Sequence, residues 1–289
     1  MGFYTKLAFR LLGPVSERLV PFFVDIKNDL RKARMKTSLQ EYICVSLLTS
    51  FIIFLVETPL LTFIFSILLK NFLLAFSTAI TLSIFLSIAF FYFFLNYPKA
   101  IIRDRSKRLE AELPFTTLYL STTAGSKLPL HKIFEIFSRF SGYKETVEEI
   151  NLINQDINVF GFDIISALER ASERSPSKKF TELLWGLLAT TRTGGNLATY
   201  LKEKSKNFIE DYRRKLYEFS HTLTIYIEVY LTAIILGALF FIILTAIVSG
   251  MGGAPVNIIF LQYFLTFVFI PLISILFIIM VKASAPGGE

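Results

Sequence analysis

The groups in this chain that could do chemistry are few. They are two carboxylates inside apolar runs, Glu57 and Glu228, two histidines, His131 and His221, and one cysteine, Cys44. An ionisable group within a membrane is costly and often functional, so Glu57 and Glu228 are candidate groups for helix pairing or ion handling. A transporter would want several such groups near mid-membrane; Glu228 stands a turn or two from the expected interface and the depth of Glu57 is open, so these two do not supply that. His131 follows Pro129 at an expected helix start, and His221 stands where a helix should enter the membrane. Neither has the neighbouring Cys or His that a metal would need. A single cysteine cannot form an internal disulfide, and Cys44 reads as a small buried apolar residue. No phosphate-binding loop, paired-His metal motif, nucleophile elbow or dinucleotide fingerprint is present. The expectation is a protein that is not an enzyme and uses no cofactor and no metal.

The elements around these groups follow from charge segregation. Apolar residues make up 53% and charged residues 18% of the 289, against about a quarter charged in a typical soluble domain. Ile43 to Leu95 is apolar over 53 residues, interrupted by Glu57-Thr58-Pro59 and by Lys70-Asn71. A span needs ~20 residues, so this run fits two spans, near 42–66 and 73–95, with the turn at Lys70 and Asn71. The alternative turn, at Glu57–Pro59, would make the second helix very long. Leu223–Ser249 and Ile258–Val281 form two more runs around the Gly- and Pro-rich segment 250–255, a turn composition. No signal peptide precedes the first run, which is expected to act as the insertion signal.

Eight Lys and Arg lie in 1–42, twenty in 97–222, and only Lys70 and Lys282 elsewhere. By the positive-inside rule the N-terminal arm and the long loop are cytoplasmic, and four spans return the C-terminus to the cytoplasm. The reading is an all-α membrane protein of the cell membrane. Four transmembrane helices in two hairpins flank an all-helical cytoplasmic bundle. The divisions are a basic amphipathic arm, 1–41; two spans, 42–96; the cytoplasmic domain, 97–222; two further spans, 223–281; and a short tail, 282–289. In the arm, apolar residues recur every three or four positions from Phe3 to Leu30, which predicts amphipathic helices on the membrane surface or on the cytoplasmic domain. Ser38 and Glu41 have capping-box spacing for the helix that enters the first span.

The cytoplasmic domain reads as about six helices. Pro98 follows the second span, and Pro114 opens a helix ending near Gly125. Pro129 begins the next, Gly161 ends the third, Ser175-Pro176 restarts the chain, and Gly194-Gly195 precedes a last helix capped by Asn196. Gly125, Gly161, Gly194 and Gly195 read as helix ends that need unusual backbone angles. No breaker separates the last helix from the third span, so it could run on into the membrane as one rod. Within that span, Ala233 and Gly237 would permit close helix packing. The loop carries 20 basic against 16 acidic residues, a balance that argues against nucleic acid. The basic run from Arg103 to Arg108 fits a positive-inside anchor and also a docking patch for an acidic partner.

Two blocks resemble a known family. The first is Leu113-Pro114 followed by Thr123-Ala-Gly-Ser-Lys-Leu-Pro129-Leu130; the second is Arg192-Thr-Gly194-Gly195-Asn196-Leu197 through Leu201. Between them stand Phe160-Gly161-Phe-Asp163 through Ala171, and Ser175-Pro176-Ser-Lys. In order and placement they are similar to the type II secretion F domain of archaeal type IV pilus, archaellum and type II secretion platform proteins. The resemblance covers about residues 97–250. It implies a non-catalytic platform on which a hexameric secretion ATPase docks and which moves pilin-like subunits out of the lipid bilayer into a filament. The bacterial pattern has two tandem domains and this chain has one, which implies a homodimer. The residues expected to meet the ATPase are Arg103, Arg105, Arg108, Lys127, Arg174, Lys178, Lys179 and Arg192. The competing readings are a membrane-anchored scaffold protein, a small transporter and, last, an intramembrane enzyme.

Overall fold

Ser38 makes both halves of its capping box: its hydroxyl accepts from the Glu41 amide at 3.2 Å, and the Glu41 carboxylate accepts from the Ser38 amide at 2.9 Å. From this start α3 (Leu39–Leu69) runs 31 residues, through Glu57 and Pro59 without a break. It ends at Lys70, which stands in left-handed backbone with φ 52°. Asn71 then caps α4 (Phe72–Ala124) by accepting from the Leu73 amide. The helix break therefore falls at Lys70-Asn71 and not at Glu57–Pro59.

In the computed structural model the described residues are 3–126, 128–140, 142–250, 260, 263, 264, 267, 268 and 270–284. Among them every element is helical. Ahead of α3 come α1 (Phe3–Leu19), a 3-10 turn (Val20–Phe23) and α2 (Val24–Lys32). After α4 come α5 (Leu130–Ser138), α6 (Lys144–Asn158), α7 (Ile164–Arg174), α8 (Lys178–Arg192), α9 (Leu197–Gly250) and α10 (Ile270–Ser284). Leu39–Leu69, Phe72–Ala124 and Leu197–Ile247 are long and apolar enough to cross a membrane; the apolar α10 is shorter. The Gly- and Pro-rich segment before α10 lies outside the described residues beyond Gly250.

Pro114 does not open a helix, and Pro98 does not punctuate the chain after the second span; both lie inside α4. Proline removes one helical hydrogen bond and leaves the carbonyl four residues earlier without its donor. For Pro98 that carbonyl belongs to Phe94, and the Tyr42 hydroxyl donates to it at 2.5 Å. A neighbouring helix thus supplies what the proline lacks, and α4 continues.

The chain divides into two compact units. The first comprises Met1–Leu109 and Glu148–Arg192. Its core includes Ile26, Leu30, Tyr42 and Leu95 packed with Phe23, Met35 and Phe91, and a small cluster of Ala8, Cys44 and Leu48. Farther along, α7 packs on α8, with Leu168, Ala171, Phe180 and Leu184 buried. Asp163 caps α7 by accepting from the Ile165 and Ser166 amides, and Ser177 accepts from Phe180 ahead of α8. The second unit comprises Glu110–Val147 and Thr193–Glu289. Its buried residues include Leu113, Leu120, Ile133, Phe134, Phe137 and Leu201. Asn196 accepts from the Thr199 amide at 3.1 Å, and the 54-residue α9 then runs without interruption into its apolar half.

Candidate functional site

The expected docking cations divide by what surrounds them. Arg105 is 6% exposed. Its guanidinium donates to Glu149 Oε1 at 2.9 Å and to the Lys32 carbonyl at 2.5 Å. Arg34 joins the same carboxylate at 2.9 Å and pairs with Glu148. Arg34 has φ 55° at the end of α2, where the Met35 amide returns to the Leu30 carbonyl, a helix-closing motif usually made by glycine. A buried network therefore ties the end of α2 to α4 and α6 within the first unit. Arg105 belongs to that network and offers no free charge to a partner.

Arg174 is also held inside. It donates to Asp156 Oδ2 at 2.5 Å, while Arg170 approaches Oδ1 at 3.7 Å and lies 4.3 Å from the Phe162 ring centroid. The turn between them is made by Gly161 at φ 71°, with the Phe162 amide bonded to the Asp156 carbonyl. Gly194 has φ 69°. Gly125 and Gly195 follow helix ends without left-handed angles, so unusual geometry is required at two of the four glycines. Pro129 caps α5 in extended backbone, and Pro176 lies in the α7–α8 connection.

Of the expected docking cations, Arg103, Arg108, Lys178 and Arg192 are exposed. Arg108 pairs with Asp104 one turn away at 3.4 Å, and Lys179 is half-buried. Lys178 and Arg192 stand at opposite ends of α8, about 20 Å apart at 1.5 Å per residue. These charges therefore do not make one patch. Lys127 lies outside the described residues. Glu57 is half-buried in α3, with Oε2 lacking a hydrogen-bond partner, whereas Glu228 is exposed on α9. His131 and His221 are exposed on α5 and α9. Among the described residues no three His, Cys, Asp or Glu cluster as metal ligands.

The second unit contains a joint that the sequence reading missed. The Glu112 carboxylate on α4 accepts from the Glu145 and Thr146 amides and from the Thr146 hydroxyl, so it caps α6 from another helix. Negative charge at a helix N-terminus complements its dipole. Beside it Phe115 stacks on Tyr143 at 6.1 Å and meets Tyr212 of α9 edge-on at 5.7 Å. Phe140 and Tyr119 continue the aromatic contacts to Phe137. The joint thus connects α4, α5 and α6 to the long α9. Glu112, Phe115 and Tyr119 recur at helical spacing, but nothing in the sequence names their partners.

In this joint and in the ion networks, side chains hold helices to one another; no nucleophile, paired acid and base, or metal set is assembled among the described residues. Residues 116–245 match the family model of type II secretion system protein F. An uncharacterized protein of Methanocaldococcus jannaschii is 25% identical over 157 residues, which is 54% of this chain and 26% of that protein. The chain thus spans about a quarter of that relative's length. No solved structure matches the chain. Over residues 116–245, a little under half of its length, the chain is thus similar to type II secretion system protein F.

Proposed function

We propose that this chain is the non-catalytic membrane platform of a type IV pilus-like machine, whether archaellum, adhesive pilus or secretion system. It docks a hexameric secretion ATPase and couples that enzyme's cycle to the assembly of pilin-like subunits. The observation that carries the reading is the family match over 116–245, a range that includes both the aromatic joint at Phe115's neighbours and most of α9. One uninterrupted helix links the joint residue Tyr212 to apolar sequence. Movement imposed on the cytoplasmic helices therefore has a stiff route towards the bilayer.

In this reading α3, the first part of α4, the apolar part of α9 and the segment ending in α10 are four spans, with both termini cytoplasmic. The segregation of Lys and Arg supports that orientation. The reading includes a homodimer. Arg103, Lys178 and Arg192 are the foremost ATPase contacts because they are exposed, with Arg108, which pairs with Asp104, and Lys179 secondary.

The test is a pull-down of crosslinked, detergent-solubilised protein from its native cells, followed by mass spectrometry. Recovery of a secretion ATPase with pilin-like subunits is expected, and the pilin class identifies the machine. Recovery of neither after crosslinking overturns the reading in favour of a scaffold or small transporter. Arg103→Glu/Lys178→Glu/Arg192→Glu should lower ATPase recovery; unchanged recovery removes these residues as contacts.

A further inference from the structure

The N-terminal helices are not a free arm. Ala8 of α1 is buried and, with Leu12, packs on Cys44, Val45 and Leu48 of α3. Tyr4 hydrogen-bonds Thr49 at 2.8 Å. As α1 numbering rises, its α3 partners fall, so α1 runs alongside the first turns of α3 in the opposite direction. Tyr42, Ile43, Cys44, Ser46, Leu48 and Ser50 of α3 are buried, and the exposed apolar belt begins at Phe51.

A second sector of α1 is exposed among the described residues. Leu7 and Leu11 are one turn apart and exposed, and Phe22 in the 3-10 turn is 80% exposed. Lys6, Arg10, Arg18 and Lys27 are exposed around them. Residues 1–37 hold eight Lys and Arg against three Asp and Glu. Tyr92 and Tyr97 are exposed on α4 on either side of Phe94, the residue that Tyr42 touches. Tyrosine at that level fits the membrane–water boundary. Apolar side chains rimmed by cations are the composition of a helix seated among headgroups, and long basic side chains reach headgroups while their stems stay in apolar surroundings.

We propose that α1, the 3-10 turn and α2 form a collar around the base of α3, seated in the headgroup layer and selective for anionic phospholipid. The collar places the hydrocarbon boundary near Ser50–Phe51 of α3, about 12 Å beyond Tyr42 at 1.5 Å per residue, and not at residue 42 as charge and apolarity alone suggest. This rests on α3 being a span, so the test carries a separate reporter for that.

The experiment uses the full chain with its only tryptophan removed (Trp185→Phe), a single tryptophan restored by Leu11→Trp, Phe22→Trp or Phe63→Trp, and reconstitution into neutral or anionic phospholipid vesicles. Phe63 is 70% exposed in the α3 belt. Lipids brominated near the carbonyl should quench Leu11→Trp and Phe22→Trp, more strongly when anionic phospholipid is present. Lys6→Glu/Arg10→Glu/Arg18→Glu/Lys27→Glu should abolish that dependence on lipid charge. Lipids brominated deep in the chain should quench Phe63→Trp in either vesicle. If Leu11→Trp and Phe22→Trp are unquenched where Phe63→Trp is quenched, the collar is overturned and the span stands. If Phe63→Trp is also unquenched, both fall.

Discussion

Replacing Arg105 with Met removes the most enclosed cation of the first unit. Its side chain is 7% exposed and that of Glu149 is 2% exposed. The substitution deletes the 2.9 Å bond to Glu149 and the 2.5 Å bond to the Lys32 carbonyl. Breaking a buried pair by removing one partner typically costs about 3–5 kcal/mol. Arg34 remains beside Glu149 at 2.9 Å and is itself a quarter exposed, which places the expected loss at the low end, about 3 kcal/mol. For a protein of this size that is a fall in Tm of roughly 6–12 °C. Glu149→Met alone should cost a similar amount. The double variant should cost about 1 kcal/mol, because an apolar pair of similar volume leaves no stranded charge. Trp185 lies in the same unit, on α8, and is the only tryptophan, so its fluorescence during unfolding in detergent reports the loss. If Arg105→Met shifts Tm by about 1 °C or less, or if the two single losses add in the double variant, the network does not hold the unit together as argued.

Tyr42→Phe should lower stability by about 1–2 kcal/mol, since the Phe94 carbonyl then has no donor; a silent substitution in the same unfolding assay would mean that Pro98 needs no compensation. Gly161→Ala should cost about 1–2 kcal/mol through its left-handed backbone although the space around it is open, whereas Ala at the ordinary-angled Gly195 should cost less. The Asp163 carboxyl is held below the usual range by hydrogen bonds from Ser166. A lowered folded-state value gives stability that is present above the unfolded-state pKa of about 4 and is lost as pH falls through the folded-state value. Asp163→Asn should therefore be neutral at pH 7, where asparagine caps equally well, and should flatten the acid limb of a Tm-against-pH curve. Leu223→Pro should cost about 3 kcal/mol and, on the platform reading, abolish filament assembly while ATPase recovery persists.

Local grammar was well marked in the sequence. Ser38 and Glu41, Lys70-Asn71 and Asn196 mark ends that depend on a few adjacent groups, and the uninterrupted run of α9 follows from the lack of a breaker after Asn196. Pro98 and Pro114 misled because a proline's effect depends on whether another segment supplies its lost bond; Tyr42, 52 residues from Phe94 along the chain, does so. Basic residues of equal appearance separate only in three dimensions. Arg105 and Arg103 are two positions apart, and helical geometry sends one into the interior and leaves the other in solvent. The glycines show the same limit, since Gly194 and Gly195 adjoin yet only the first has a positive φ.

The unbroken α9 also has mechanical gain. Sharp helix kinks arise mainly at proline, at Gly/Ser pairs or at inserted turns, and α9 has no proline along its 54 residues. A lever about 80 Å long that tilts by about 5° about one end carries its other end through about 7 Å, more than the ~5.4 Å of one helical turn. A tilt of about 5° that pivots near Tyr212, about 57 Å from Gly250 at 1.5 Å per residue, would thus arrive at the far end of α9 as about 5 Å, a step close to the pitch of the helix itself.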